Sequence, residues 1–155
     1  MAETELARAK KKAMNLLIDM DRTEKELHDK LIRAGFTEEA SAEALQYVKS
    51  YGYIDDVRYA GHYLEVNRTR KSRKRLRFDL EKKGISREIL DEIFFHTDDI
   101  DEKEQIRKLV EKKRKTLDLA DPRQKNRLLA FLARRGYGSS DILQVIEENV
   151  SLDII

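Results

Sequence analysis

The chain has 155 residues, 40% of them charged and 40% apolar, with six glycines, one proline and no cysteine. The lack of thiols excludes a disulfide framework and thiolate zinc sites, and so little proline and glycine leaves no room for long loops, so the length fits one compact domain or a short array of small units. The formal net charge is only +2, so partners are to be read from where the charges lie rather than from their total.

The first apolar periodicity covers roughly Leu6–Met20 and predicts a helix. No apolar run approaches a membrane span and the opening "MAETELARAKKKA" lacks the apolar centre of a signal peptide, which together predict a cytoplasmic protein. In "RTEKELHDKLIRAGFTEEA", from Arg22, Leu27 and Leu31 share one helical face. Gly35 is placed to end that helix in the left-handed conformation, Phe36 to pack back, and Thr37 to cap a third helix carrying Ala40, Ala44 and Val48. Gly52 closes this triplet; Tyr53 and Ile54 are expected to turn inward. Asp55 is expected to cap the next helix, with Asp56 favoured by its dipole.

The pattern then recurs. A helix over Asp56–Asn67 leads into "KSRKRLRFDLEKKGISREI", which starts at Lys71, 49 residues after Arg22. Leu76, Leu80, Gly84, Ile85 and Ser86 stand in register with Leu27, Leu31, Gly35, Phe36 and Thr37, and Ile89 and Ile93 are the expected core pair of the following helix. "IDEKEQIRKLV", from Ile100, matches "IDDVRYAGHYL", from Ile54, and predicts a helix over Glu102–Leu117. Asp121-Pro122 starts another by the N-cap and first-turn proline rule. Leu128, Leu132, Gly136 and Tyr137 repeat the register 52 residues beyond the second copy, with Ser139 as the expected cap and Ile142 and Ile146 as core. Repetition on this scale predicts an all-α fold of three tandem three-helix repeats, 1–52, 53–98 and 99–155, in an elongated, curved array.

The sharpest local feature is "RTRKSRKRLR", residues 68–77, with seven cations and no acid. Arg68, Arg70 and Lys71 fall in a linker; Arg73, Lys74, Arg75 and Arg77 fall on the next helix, opposite Leu76 and Leu80. A basic strip there suits phosphates or an acidic protein surface, although a charge run is more often a solvated face. A second run, Lys112–Leu117 followed by Arg123, Lys125, Arg127, Arg134 and Arg135, is interrupted by acids and fits solvation as well as binding. The acidic stretch "HTDDIDEKE" fits helix caps better than a calcium loop, and His28, His62 and His96 are isolated. With no phosphate loop, dinucleotide fingerprint or nucleophile–base pair in sight, the sequence points away from an enzyme and calls for no cofactor or metal.

"GYIDDVRYAGHYLEVNRTR" followed by "LRFDLEKKGI", with "DRTEKELHDKLIRAGF" ahead of them, resembles the RecX family of bacterial recombination regulators over essentially the whole chain. The resemblance implies three tandem three-helix repeats and binding to the RecA recombinase, in the groove of the RecA–DNA filament, where filament growth, ATP hydrolysis and strand exchange are restrained. It implies no catalytic residue. On that reading Arg68, Arg70, Lys71, Arg73, Lys74, Arg75 and Arg77 form the expected contact to DNA or filament, by a protein expected to act as a monomer. The competing reading is a stand-alone helical DNA-binding protein such as a transcription regulator, which would usually be a symmetric dimer; no dimerising heptad is evident.

Overall fold

The computed structural model describes residues 3–154, with side chains to residue 150, and among these every regular element is a helix. Nine helices run in chain order: α1 (Glu5–Asp19), α2 (Glu24–Arg33), α3 (Glu38–Ser50), α4 (Asp56–Asn67), α5 (Arg73–Lys82), α6 (Arg87–Phe95), α7 (Glu102–Arg114), α8 (Pro122–Arg134) and α9 (Ser139–Ile154). They form three tandem three-helix repeats. By compactness the chain divides into two units, one of residues up to Tyr63 with Asp79–His96, the other of Leu64–Phe78 with residues from Thr97 onward. The middle repeat contributes residues to both.

Local chemistry sets most boundaries. Thr4, Thr23, Thr37, Ser86, Asp101 and Asp121 each accept an amide from the first turn of the helix they precede, and Asp55 accepts the amide of Arg58 at 3.1 Å. Gly35, Gly84 and Gly136 end the second helix of each repeat at φ between +88° and +97°, a region costly for other residues. Gly52 does the same for α3.

In the first unit Ala9, Ala13, Leu27, Leu31, Ala40, Ala44, Val48 and Ile54 form one apolar cluster. In the second, Ile106, Val110, Leu119, Leu128, Leu132, Tyr137, Ile142, Val145 and Ile146 form another. Clusters of this size, at roughly 1.5–3 kcal/mol per large buried side chain, outweigh the weak intrinsic stability of helices only 9–16 residues long.

Several expectations need correction. Ile54 is buried but Tyr53 is 46% exposed: its amide satisfies the Val48 carbonyl, which leaves its ring to stack on Tyr51 at 5.7 Å. α7 ends at Arg114 rather than Leu117, because Thr116 turns back and gives both its amide and its hydroxyl to the Lys113 carbonyl. α6 buries Leu90 and Phe94, with Ile89 and Ile93 half-buried beside them; both pairs have the same spacing, so periodicity alone could not choose. Ser139 is the first residue of α9, and the preceding Gly138 supplies the capping carbonyl, 3.1 Å from the Ile142 amide.

A cationic groove at the second repeat junction

The repeats dock by a recurring junction. The Thr23 hydroxyl accepts the Glu26 amide and donates across to the carbonyl of Lys83, the residue before Gly84. Forty-nine residues on, the Ser72 hydroxyl accepts the Arg75 amide and donates at 3.0 Å to the carbonyl of Arg135, the residue before Gly136. Asp56, opening the first helix of the middle repeat, accepts the Glu24 amide at 2.9 Å; Glu102, opening that of the last repeat, accepts the Arg73 amide at 2.8 Å. Asp56 thus caps the helix of the preceding repeat as well as carrying charge into its own, which local sequence could not show. Burial pushes its carboxyl above the usual aspartate range, although the Glu24 amide pulls the other way.

The approach at each junction requires glycine twice over. A Cβ on Gly84 would overlap the stem of Lys25, and one on Gly136 would lie 2.6 Å from the Ser72 hydroxyl. One on Gly35, which docks on no preceding repeat, would meet nothing within 4 Å.

Side chains then make the two junctions different. At the first, Glu26 completes a capping box by accepting the Thr23 amide at 3.1 Å, and lies 4.0 Å from the Lys83 ammonium. Burial opposes the charge on Lys83, but Tyr59, Glu26 and Tyr63 outweigh it and hold its pKa above the ordinary value. At the second, the position of Glu26 is held by Arg75 and that of Lys83 by Arg135. A groove of about 600 Å³ opens here, lined by Arg70, Lys71 and Arg75 from the middle repeat, Arg134 and Arg135 from the last, and Asn67, Ser72 and Tyr137. None of these lining residues is acidic. Of the lining residues Tyr137 is buried: its hydroxyl donates to Gln105 at 2.7 Å, and Gln105 donates to the Arg68 carbonyl at 2.8 Å. Burial raises the Tyr137 pKa, with Arg135 opposing, so the phenol keeps its proton at neutral pH.

The seven cations of the basic run do not all line this groove. Arg70, Lys71 and Arg75 line the groove, and Lys74 is exposed on α5, its Cβ 3.6 Å from the Cβ position of Gly136. Arg68 pairs instead with Asp99. Arg73 is half-buried and donates to the Thr97 carbonyl at 2.6 Å, and Arg77 is half-buried on α5 and does not line the groove. Arg134 and Arg135 were not distinguishable from their neighbours by composition. The signal that could have found them is the repeat register, which aligns Arg135-Gly136 with Lys83-Gly84 and so places them against Ser72.

Comparison with known proteins agrees with this architecture repeat by repeat. Residues 9–47, 55–93 and 101–146 match the family models for the first, second and third three-helix domains of RecX. The regulatory protein RecX of Chlorobium phaeobacteroides is 34% identical, covering 96% of this chain and 97% of that protein. That of Clostridium botulinum Eklund 17B is 29% identical over 86% of this chain, which spans 64% of the relative's length. The crystal structure of RecX from Lactobacillus salivarius is similar at a TM-score of 0.75 and 26% identity, covering 97% of this chain and 98% of that one. Three domain matches in tandem order, on a fold whose junctions repeat in the same register, place this chain in the RecX family of regulatory proteins.

Proposed function

We propose that this chain binds the RecA–DNA filament and restrains recombinase activity, with the groove at the second junction as its contact to DNA phosphate. The observation that supports this most is five cations from two repeats converging on one groove with no acid in its lining. Guanidinium groups suit phosphate oxygens because their forked donors match them in pairs. Lys74 at the rim extends the contact, while Arg68, Arg73 and Arg77 act mainly in support of the fold around it. The action is binding rather than chemistry: a protein held on both filament and DNA disfavours the extended, active filament by differential affinity for its states.

The test is Arg70→Gln/Arg75→Gln/Arg134→Gln, with affinity for RecA–single-strand filaments titrated over several salt concentrations. Removing a cation that neutralises one phosphate should flatten the slope of log affinity against log salt by roughly 0.7–0.9. The folding free energy should move by no more than about 0.5 kcal/mol, since these cations lie at the surface. Parental affinity and slope in the folded variant would refute the groove as the DNA contact. Filaments bound no more tightly than bare duplex DNA would favour the stand-alone DNA-binding reading instead.

A further inference from the structure

Three tyrosines crowd the end of the first repeat, in "YVKSYGY" from Tyr47 to Tyr53. Tyr47 and Tyr51 lie four apart at the end of α3 and so share a face. Gly52, at φ +72°, turns the chain back and sets Tyr53 beside Tyr51. The rings form a row: Tyr47 meets Tyr51 edge-on with 5.1 Å between centroids, and Tyr51 stacks on Tyr53 at 5.7 Å and 14° from parallel. Tyr47 packs against the first apolar cluster, whereas Tyr51 is 61% exposed and Tyr53 46%.

The turn is fastened without these rings. The Gly52 amide donates to the Lys49 carbonyl and the Tyr53 amide to the Val48 carbonyl, each at 3.0 Å, and Ile54 supplies the buried apolar contact. In the register that matches Ile54 to Ile100, the places of Tyr47, Tyr51 and Tyr53 are taken by Ile93, Thr97 and Asp99. The same turn in the next repeat thus closes with no aromatic ring at these positions. Large rings held in water beyond what the turn requires mark a contact surface.

The charges beside the row decide what it contacts. The Lys10 ammonium stands 4.5 Å from the centroid of the Tyr47 ring, and the Arg58 guanidinium donates at 3.0 Å to the carbonyl of Gly52, the residue between the two exposed tyrosines. The neighbouring carboxylates are engaged with amides, Asp55 with that of Arg58 and Asp56 with that of Glu24. We propose that Tyr51 and Tyr53 are a stacking platform for the unpaired bases of single-stranded nucleic acid, with Lys10 and Arg58 attracting its phosphates. A base laid on the outer face of the pair continues the stack the two rings have begun, and any base serves, because each has a π-face. A duplex, whose bases are already stacked on one another, offers no such face, so the platform selects single strands. It stands apart from the cationic groove and does not rest on the groove being a DNA contact.

The experiment compares oligothymidylate with an abasic oligonucleotide of the same length, which has the phosphates but no bases. The parent should bind oligothymidylate the more tightly at every salt concentration. Tyr51→Ala/Tyr53→Ala should weaken oligothymidylate binding roughly fivefold or more and leave affinity for the abasic strand, and its salt slope, at the parental values. Tyr51→Leu/Tyr53→Leu keeps apolar bulk at the turn and should show the same loss with a near-parental melting temperature; Tyr51→Phe/Tyr53→Phe should bind as the parent does. The chain has no tryptophan, so Tyr53→Trp adds a sole indole reporter. Excited where the bases do not absorb, its fluorescence should be quenched by oligothymidylate and not by the abasic strand.

Equal affinity of the parent for the two strands overturns the platform, as does a parental preference for bases in the folded leucine variant, or an indole that oligothymidylate leaves unquenched. A leucine variant that binds oligothymidylate normally but RecA filaments weakly would make the row a protein contact and overturn the assignment to nucleic acid. The groove variant Arg70→Gln/Arg75→Gln/Arg134→Gln should keep the preference for bases while flattening the salt slope. A parental slope there sinks the groove and leaves the platform standing; a lost preference there, in a folded protein, sinks the platform.

Discussion

At the first junction a glutamate closes the capping box and sits beside a lysine; at the second, an arginine takes the glutamate's place in a groove of cations. The docking nevertheless proceeds through the same atoms at both: a cap hydroxyl onto the carbonyl before a left-handed glycine, and a carboxylate from the next repeat onto a helix-opening amide. Two of these four groups are backbone, and the other two, a hydroxyl and a carboxylate, are side chains present at both junctions. The comparison teaches that a repeat joint fastened by these four groups leaves the charges around it adjustable. One copy uses that freedom for an ion pair, the other for a basic groove.

The largest test of this shared geometry is steric. Gly84→Val and Gly136→Val each force a β-branched residue to positive φ and also drive its Cβ into the neighbouring repeat, so each should lose roughly 3 kcal/mol or more in urea denaturation. Gly35→Val carries only the conformational cost, roughly 1–2 kcal/mol. Equal losses at all three positions would mean that the glycines matter only as helix ends.

Next in size are the two hydroxyls. Thr23→Ala and Ser72→Ala each remove an N-cap and leave a junction carbonyl without its donor, a loss of roughly 1–3 kcal/mol measured by thermal or urea unfolding. Similar values at the two sites would support one shared joint; a near-zero value at either would break the equivalence.

The smallest effect is a pH dependence of opposite sign at two capping carboxylates. Burial raises the Asp56 pKa, so its contribution to stability is fully present below its unfolded pKa and is lost as pH rises through the folded one. Glu5, which accepts the Thr37 amide at 2.7 Å, has its pKa lowered by that bond; its contribution is present above the unfolded pKa and is lost as pH falls through the folded one. Relative to the parent, Asp56→Asn should therefore cost more in acid than at neutral pH, and Glu5→Gln less. The same sign for both, in unfolding curves across the carboxylate range, would contradict this assignment.

What the sequence made legible is what depends on neighbours in the chain. Thr37, Ser86, Asp55, Asp101 and Asp121-Pro122 act as caps, α4 spans Asp56–Asn67, and the glycines end helices, because each is decided within a turn. The repeat register was legible because it recurs. The rest depends on residues far away in sequence. Asp56 reaches back 32 residues to Glu24, and Arg73 is drawn to a carbonyl 24 residues on. Arg68 is taken by Asp99, and Arg134 and Arg135 enter the groove only because the last repeat docks on Ser72. A run of seven cations announces a basic region; which of them share a surface is decided by the junction.

The start of α8 sets the last repeat apart from the other two. In the register that relates Thr23 to Ser72, the third position is Gln124, which lies inside α8 because that helix begins at Pro122. Its side chain is already engaged, accepting the Asp118 amide at 2.7 Å and donating to Asp121 at 3.2 Å. The hydroxyl-to-carbonyl joint that Thr23 and Ser72 make therefore has no counterpart at this position: the third helix pair spends it on its own entry turn, tying Asp118 and Asp121 together through one amide side chain.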